Sequence, residues 1–390
     1  MFELAKTIEA IRGEQAGGWL FYGMRHRDKL SARILSIAED SKETRPWYYF
    51  VFSEGEPLRI AHSIEAGALA GLPGRLVSYS SRAELLDHLA RLVGPRLAGR
   101  PLACQFSSEI PAISLLDHGT ALTLHEAGLA LCSSAGLIQR YAGLLSPEAA
   151  DSHRRAAVHL YELVELVWRR LCAELKSGAA LHEGHVQGWM LDEFRTRGLE
   201  SEDPPTVAAG ANSSDPHYSI KGSGKRLENG QVVQLDLWAR EKRPDSAYAD
   251  ISWVGYLGEK APERVEKAWT AAVGARDAAL RFIAARLAGG VTGAEVDQEV
   301  RRTVESSGFA AGLKHRTGHG IDRDVHGSGV NLDSVEFPDR RRLLEGSCFS
   351  VEPGIYLGDF GLRTEINVLI SRGAPEITGG APQAGLLTLV

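Results

Sequence analysis

The chain has 390 residues, 44% hydrophobic and 24% charged, with a formal net charge of −6. The length favours two domains, the composition is that of an ordinary globular protein, and the mildly acidic balance gives no electrostatic basis for binding nucleic acid. No apolar run reaches the length of a membrane span, and the N-terminus M-F-E-L-A-K-T-I-E-A-I-R is an amphipathic pattern without the apolar stretch of a signal peptide, so a cytoplasmic location is the default expectation.

Residues 1–135 read as a mixed α/β domain. Helical spacing predicts helices near 2–13, 28–39 and 82–93, and short apolar runs predict strands at G-W-L-F-Y, W-Y-Y-F-V-F, P-L-R-I-A and R-L-V-S-Y. Arg25, His26, Arg27 and Lys29 form a local basic group that reads as a solvated face. A boundary falls in the stretch from Cys132 to Glu148, which leaves 136–390 as the second domain. Ser146-Pro147-Glu148 is a helix start, with a Ser cap, Pro in the first turn and an acidic residue near the positive helix end. The helix that follows carries Leu160, Leu163, Val164, Val167, Leu171 and Leu175 at spacings of three and four, to about 175. Further helices are expected at about 183–197, 262–288 and 293–307, the last with a capping box from Thr292 and Glu295. Residues 231–239 and 247–257 form a predicted hairpin. A helix pair followed by strands occurs twice, which suggests a duplicated half.

Five residues interrupt or border the apolar strands of the second domain: Asp236, Asp250, His319, Glu352 and Glu365. Carboxylates are seldom buried unless they are paired or bound to a metal. Four of them with one imidazole suit one or two divalent cations. Period-two alternation puts Asp236 and Asp250 on one side of the hairpin, and Arg363 and Glu365 on one polar face near the C-terminus. The four cysteines, Cys104, Cys132, Cys172 and Cys348, show no metal spacing and read as buried thiols. His26, His62, His88, His118, His125, His153, His159, His182 and His185 read as ordinary satisfied histidines.

The order Asp, Asp, His, Glu, Glu, with its flanking residues, resembles the pita-bread metallopeptidases: methionine aminopeptidase, aminopeptidase P, prolidase and creatinase. The resemblance covers roughly residues 150–390. It includes His315 and His326 in H-R-T-G-H-G-I-D-R-D-V-H, His217 in D-P-H-Y, and Arg363 two before Glu365. It implies an α/β fold in which a creatinase-like N-terminal domain precedes a C-terminal pita-bread domain. Asp236, Asp250, His319, Glu352 and Glu365 would hold two divalent ions, manganese with zinc and cobalt as the alternatives. Glu352 would be the general base, His217 and His326 would act on the transition state, and His315 and Arg363 would support the metal site or line the substrate pocket. The implied activity is hydrolysis of Xaa-Pro dipeptides by a hydroxide bridging the ions, in a homodimer. Release of the N-terminal residue from longer Xaa-Pro peptides is the alternative, and a non-catalytic peptide-binding role is a third reading.

The chain departs from the family pattern at three places. Asp236 and Asp250 are fourteen apart where eleven is usual, which predicts a longer hairpin loop. The family glycine and tyrosine in that hairpin are Trp238 and Ala247 here, and Tyr248 comes one residue later, so its ring should point to the opposite face. His326 is followed by Gly327 where prolidase and aminopeptidase P usually have glutamate, so the pocket rim differs.

Overall fold

The computed structural model describes residues 2–38 and 41–389. The chain divides into two compact units, Met1–Ala142 and Gly143–Val390. No described helix is long and apolar enough to cross a membrane.

In the first unit, strands β1 (Gly18–Gly23), β2 (Trp47–Phe52), β3 (Leu58–His62), β4 (Arg75–Tyr79), β5 (Leu102–Cys104) and β6 (Leu131–Ser133) form one mixed sheet in the order β4-β3-β2-β1-β5-β6. Helices α1 (Leu4–Gly13), α2 (Lys29–Leu35), α3 (Arg82–His88), α4 (His118–Glu126) and α5 (Ala135–Ala142) accompany it. Strands β1 and β2 are buried along their whole length, because alternate residues feed two cores. Trp19, Phe21, Trp47 and Tyr49 fill one, and Leu20, Tyr22, Tyr48 and Phe50 the other. Helix α2 is shorter than the expected 28–39: Ser36 turns into the left-handed region at φ 56° and ends it, and position 39 lies outside the described residues. Arg25, His26, Arg27 and Lys29 are exposed, in keeping with a solvated face. Helix α5 buries Leu137 and Ile138 in this unit's core, so the division falls after it.

The second unit begins with the long helix α6 (Pro147–Lys176), capped by Ser146, and α7 (Glu183–Thr196). Strands β7 (Leu199–Glu200), β8 (Thr206–Ala209), β9 (Val232–Glu241) and β10 (Ala249–Tyr256) follow. The second helix pair is α8 (Glu263–Arg286) and α9 (Gly293–Ser306), with the capping box of Thr292 and Glu295 in place. Short strands β11 (Cys348–Val351), β12 (Gly354–Tyr356), β13 (Gly361–Arg363), β14 (Ile366–Ser371), β15 (Ala374–Ile377) and β16 (Leu387–Thr388) complete it. The two helix pairs serve separate cores. Leu160, Val164, Val167 and Leu171 of α6 pack on Leu235, Leu237 and Ile251, whereas Ala272, Ala275 and Ala279 of α8 join Val300, Val351 and Ile366.

Candidate metal centre

Strands β9 and β10 are antiparallel, with Asp236 opposite Ser252 and Trp238 opposite Asp250. Leu235, Leu237, Ala249 and Ile251 face the α6 core, so both aspartates project from the other side of the sheet. The extra length of the hairpin is taken up by the loop 242–248. The Tyr248 hydroxyl at its end accepts the Glu202 N–H at 3.2 Å.

The two glutamates come from the other small sheet. Val351 pairs with Ile366 at the end of the β11–β14 ladder. Glu352 and Glu365 are the next residues beyond that pair, so they leave the ladder side by side. Two hydrogen bonds join the two sheets here: the Glu365 N–H donates to Ser252 O at 3.1 Å, and the Asp250 N–H donates to the Asn367 side-chain Oδ1 at 2.9 Å. His319 is held against β11 by reciprocal bonds. The Ser350 N–H donates to His319 O at 2.9 Å, and the His319 N–H donates to Ser350 Oγ at 3.0 Å. Glycine at 318 permits this approach, since a Cβ there would lie 2.0 Å from Ser350 O.

All five residues are buried. Ligand atoms of Asp250, His319 and Glu365 lie within 4.8 Å of one another. His319 Nε2 stands 3.4 Å from Asp250 Oδ2 and 3.5 Å from Glu352 Oε1. Asp236 is engaged differently: the Arg363 guanidinium bonds its Oδ2 and the Ser252 hydroxyl its Oδ1 at 2.6 Å. Ser252 Oγ also lies 2.9 Å from Glu365 Oε2. One hydroxyl carries one proton, so it cannot serve both carboxylates at once.

Burial pushes the carboxyls of Asp250 and Glu365 well above the ordinary range, and neighbouring carboxylates push them further. Asp250 Oδ1 and Glu365 Oε1 have no hydrogen-bond partner. Two buried acceptors without donors, beside an imidazole, form a donor set that a divalent cation fits. Glu352 goes the other way. Burial raises its pKa, but the charges of His319, His315, Arg363 and Arg316 outweigh burial and hold it below the usual range.

Around this centre, His326 is exposed and meets the His319 ring edge-on, with centroids 4.3 Å apart. The neighbouring His319, then partial burial, lower its pKa to about 4. His217 is exposed on the segment before β9, and its N–H donates to Asp215 Oδ1 at 3.1 Å. His315 Nε2 is 2.7 Å from the Tyr356 hydroxyl, which accepts from Arg363 Nη1 at 3.2 Å. Three residues that touch the centre were not singled out from the sequence. Ser252 and Asn367 each stand two residues from a marked carboxylate on the same strand face, a signal that was present. Tyr356 reads as core and carries no such signal.

A buried acidic centre beside a histidine, on a frame of two helix pairs and small sheets, is the architecture of a metallopeptidase. The family is given by the match over residues 152–372: the chain belongs to metallopeptidase family M24 and has its pita-bread fold, as the sequence led us to expect. It is 27% identical over 381 residues to the "Probable dipeptidase PepE" of Mycobacterium tuberculosis, covering 85% of this chain and 95% of that protein. It is 30% identical over 174 residues to a Xaa-Pro dipeptidase of Pyrococcus horikoshii, covering 44% of this chain and 46% of that one. It likewise spans only 57% of a Mycoplasma pneumoniae relative. The crystal structure of dipeptidase PepE from Mycobacterium ulcerans superposes with a TM-score of 0.71 at 21% identity, covering 99% of this chain and 96% of that one.

Proposed function

We propose that this chain is a dinuclear Xaa-Pro dipeptidase with a first domain of the creatinase type. The observation that carries the reading is the pair of partnerless oxygens on Asp250 and Glu365 beside His319. Asp236, Asp250, His319, Glu352 and Glu365 would hold two divalent cations, which supply, when bound, a nucleophilic water at neutral pH and a polarised scissile carbonyl. Glu352 is suited to the proton work. Arg363 Nε lies 3.6 Å from its Oε2 and favours the carboxylate form, which would take the proton of the attacking water and pass it to the departing proline nitrogen. His326 is neutral at pH 7 and can donate one N–H to the developing oxyanion, with His217 as a second donor. Arg363 spans Asp236, Ser252 and Tyr356 and fixes their orientation.

Proline has no amide N–H to satisfy, so a pocket that supplied no acceptor there, only histidine and apolar walls, would favour it over ordinary residues. Relatives named dipeptidase support the preference for short substrates. Manganese as the native metal, a homodimer and a cytoplasmic location complete the reading, on resemblance alone. The test is kcat/KM for Xaa-Pro dipeptides against Xaa-Pro-Yaa tripeptides with manganese added back. Dipeptides should be better by at least about tenfold, the scale of one unfavourable pocket contact. Equal values would favour the aminopeptidase P reading, and no cleavage of either with metal bound would favour a peptide-binding role.

A further inference from the structure

His217 lies between β8 and β9, on a stretch whose only regular element is the short turn Gly210–Ser214. A catalytic group on such a segment needs anchors, because an ångström of drift costs rate. On the side before His217, Arg363 Nη1 donates to Pro216 O at 3.3 Å, and Lys314 Nζ donates to Ser214 O at 3.0 Å. On the side after it, the anchor is Glu183, the first residue of α7, which is wholly buried.

Glu183 Oε1 accepts the Ala209 N–H at 2.8 Å and the Asn212 side-chain amide at 2.9 Å. Glu183 Oε2 accepts the Lys225 N–H at 2.6 Å and the Tyr218 hydroxyl at 2.7 Å. Both roots of the loop, one residue in its turn and the neighbour of His217 therefore converge on one carboxylate. No cationic side chain pairs with it among the described residues. Four donors and the positive end of α7 compensate its charge instead. The backbone closes tightly around it: at Gly224, φ is +71° and a Cβ would lie 2.6 Å from Glu183 Oε2. Burial, and then Glu183 itself, push the Tyr218 hydroxyl up to about 12, which keeps it a donor.

We infer that Glu183 is a positioning residue for the reaction: its carboxylate holds Tyr218 and both roots of the 209–225 loop, and so sets where the His217 ring stands. The inference rests on the assignment of His217 made above. It is tested by a double-mutant cycle on the full chain loaded with manganese, with an Xaa-Pro dipeptide as substrate. His217→Ala should lower kcat roughly 10²-fold, as for one lost oxyanion donor. Glu183→Gln replaces one acceptor oxygen by an amide and should lower kcat about tenfold with KM little changed. In the His217→Ala background it should cost nothing further. Should Glu183→Gln fail to fold, Tyr218→Phe removes one donor only, and its smaller loss of kcat must also vanish in that background. Additive losses, or full kcat in the folded Glu183→Gln or Tyr218→Phe variant, would overturn the inference. If the wild type cleaves no Xaa-Pro peptide, the function above fails, and amide exchange decides the anchoring. Exchange faster by about tenfold and confined to 209–225 in the Glu183→Gln or Tyr218→Phe chain supports it, and unchanged protection overturns it.

Discussion

Two groups of buried carboxylates in the second unit share residue type and burial but not partners. In one, Asp297 accepts from Thr317 on one oxygen, and from Ser334 and Arg301 on the other. Asp333 caps the N–H groups of Val335, Glu336 and Phe337. Asp339 takes the Asn331 N–H and the Arg341 guanidinium. Every oxygen in that group has a donor, so the charge is part of the scaffold. In the other group, Asp250 and Glu365 each keep one oxygen without a partner. The first group is satisfied by donors of the chain itself, whereas these two oxygens are not. Burial alone therefore does not distinguish Asp250 and Glu365 from Asp297, Asp333 and Asp339; the donors on each oxygen do.

The sharpest way to break the comparison is the same substitution in both groups. Asp250→Asn should take hydrolysis to background and reduce bound metal. It should also raise the melting temperature of the metal-free protein, because it removes a charge that burial penalises. The folded carboxyls of Asp250 and Glu365 sit above their unfolded values. Their contribution in the metal-free state is therefore present below the ordinary carboxylate range and is lost as pH rises through the raised values. Thermal melts of stripped wild type and variant across pH check both statements. A variant less stable than wild type at pH 8 without metal would place Asp250 in the structural group.

Asp297→Asn should behave in the opposite way. It breaks the pair with the partly exposed Arg301 and leaves buried donors facing an amide, so about 1–3 kcal/mol of stability should be lost. Denaturant unfolding measures this, and metal content should stay as in wild type. An unchanged midpoint would show that the donors around Asp297 carry little.

His153 extends the contrast to an imidazole. It is buried, with Nδ1 2.5 Å from Tyr248 O and Nε2 2.8 Å from Thr378 Oγ1. The carbonyl can only accept, so the neutral ring donates from Nδ1 and accepts the threonine hydroxyl at Nε2. Burial lowers its pKa from 6.5 to about 4. The unfolded chain takes up this proton first on acidification. Roughly 3 kcal/mol is therefore fully present above pH 6.5 and is lost as pH falls towards 4. A His153→Leu variant should lack that slope, and an unchanged slope would assign it to other groups.

Much of this was legible in the sequence where periodicity or burial left a mark. Strands β1 to β4 and helices α6 to α9 carry long apolar patterns, and the expected ranges agree with the observed ones to within a few residues. Strands β5 and β6 span three residues each, and α4 is only weakly amphipathic, so neither periodicity nor length exposed them. At the centre, a carboxylate inside or at the end of an apolar strand is conspicuous, which is why Asp236, Asp250, Glu352 and Glu365 stood out. Of the partners that tune them, Arg363 and His315 were marked too, but Ser252 and Tyr356 were not. Ser252 is small and Tyr356 reads as core. Glu183 at a helix start reads as a dipole complement, and its buried position beside the His217 segment appears only when the chain is folded.

If the open oxygens of Asp250 and Glu365 belong to a cation site, the chain must hold metal on its own. The most direct measurement is elemental analysis of the wild-type chain after chelator stripping, reloading with manganese and exhaustive dialysis. Two ions should be retained per chain. Retention of none, by a chain that remains folded, would contradict the cation site.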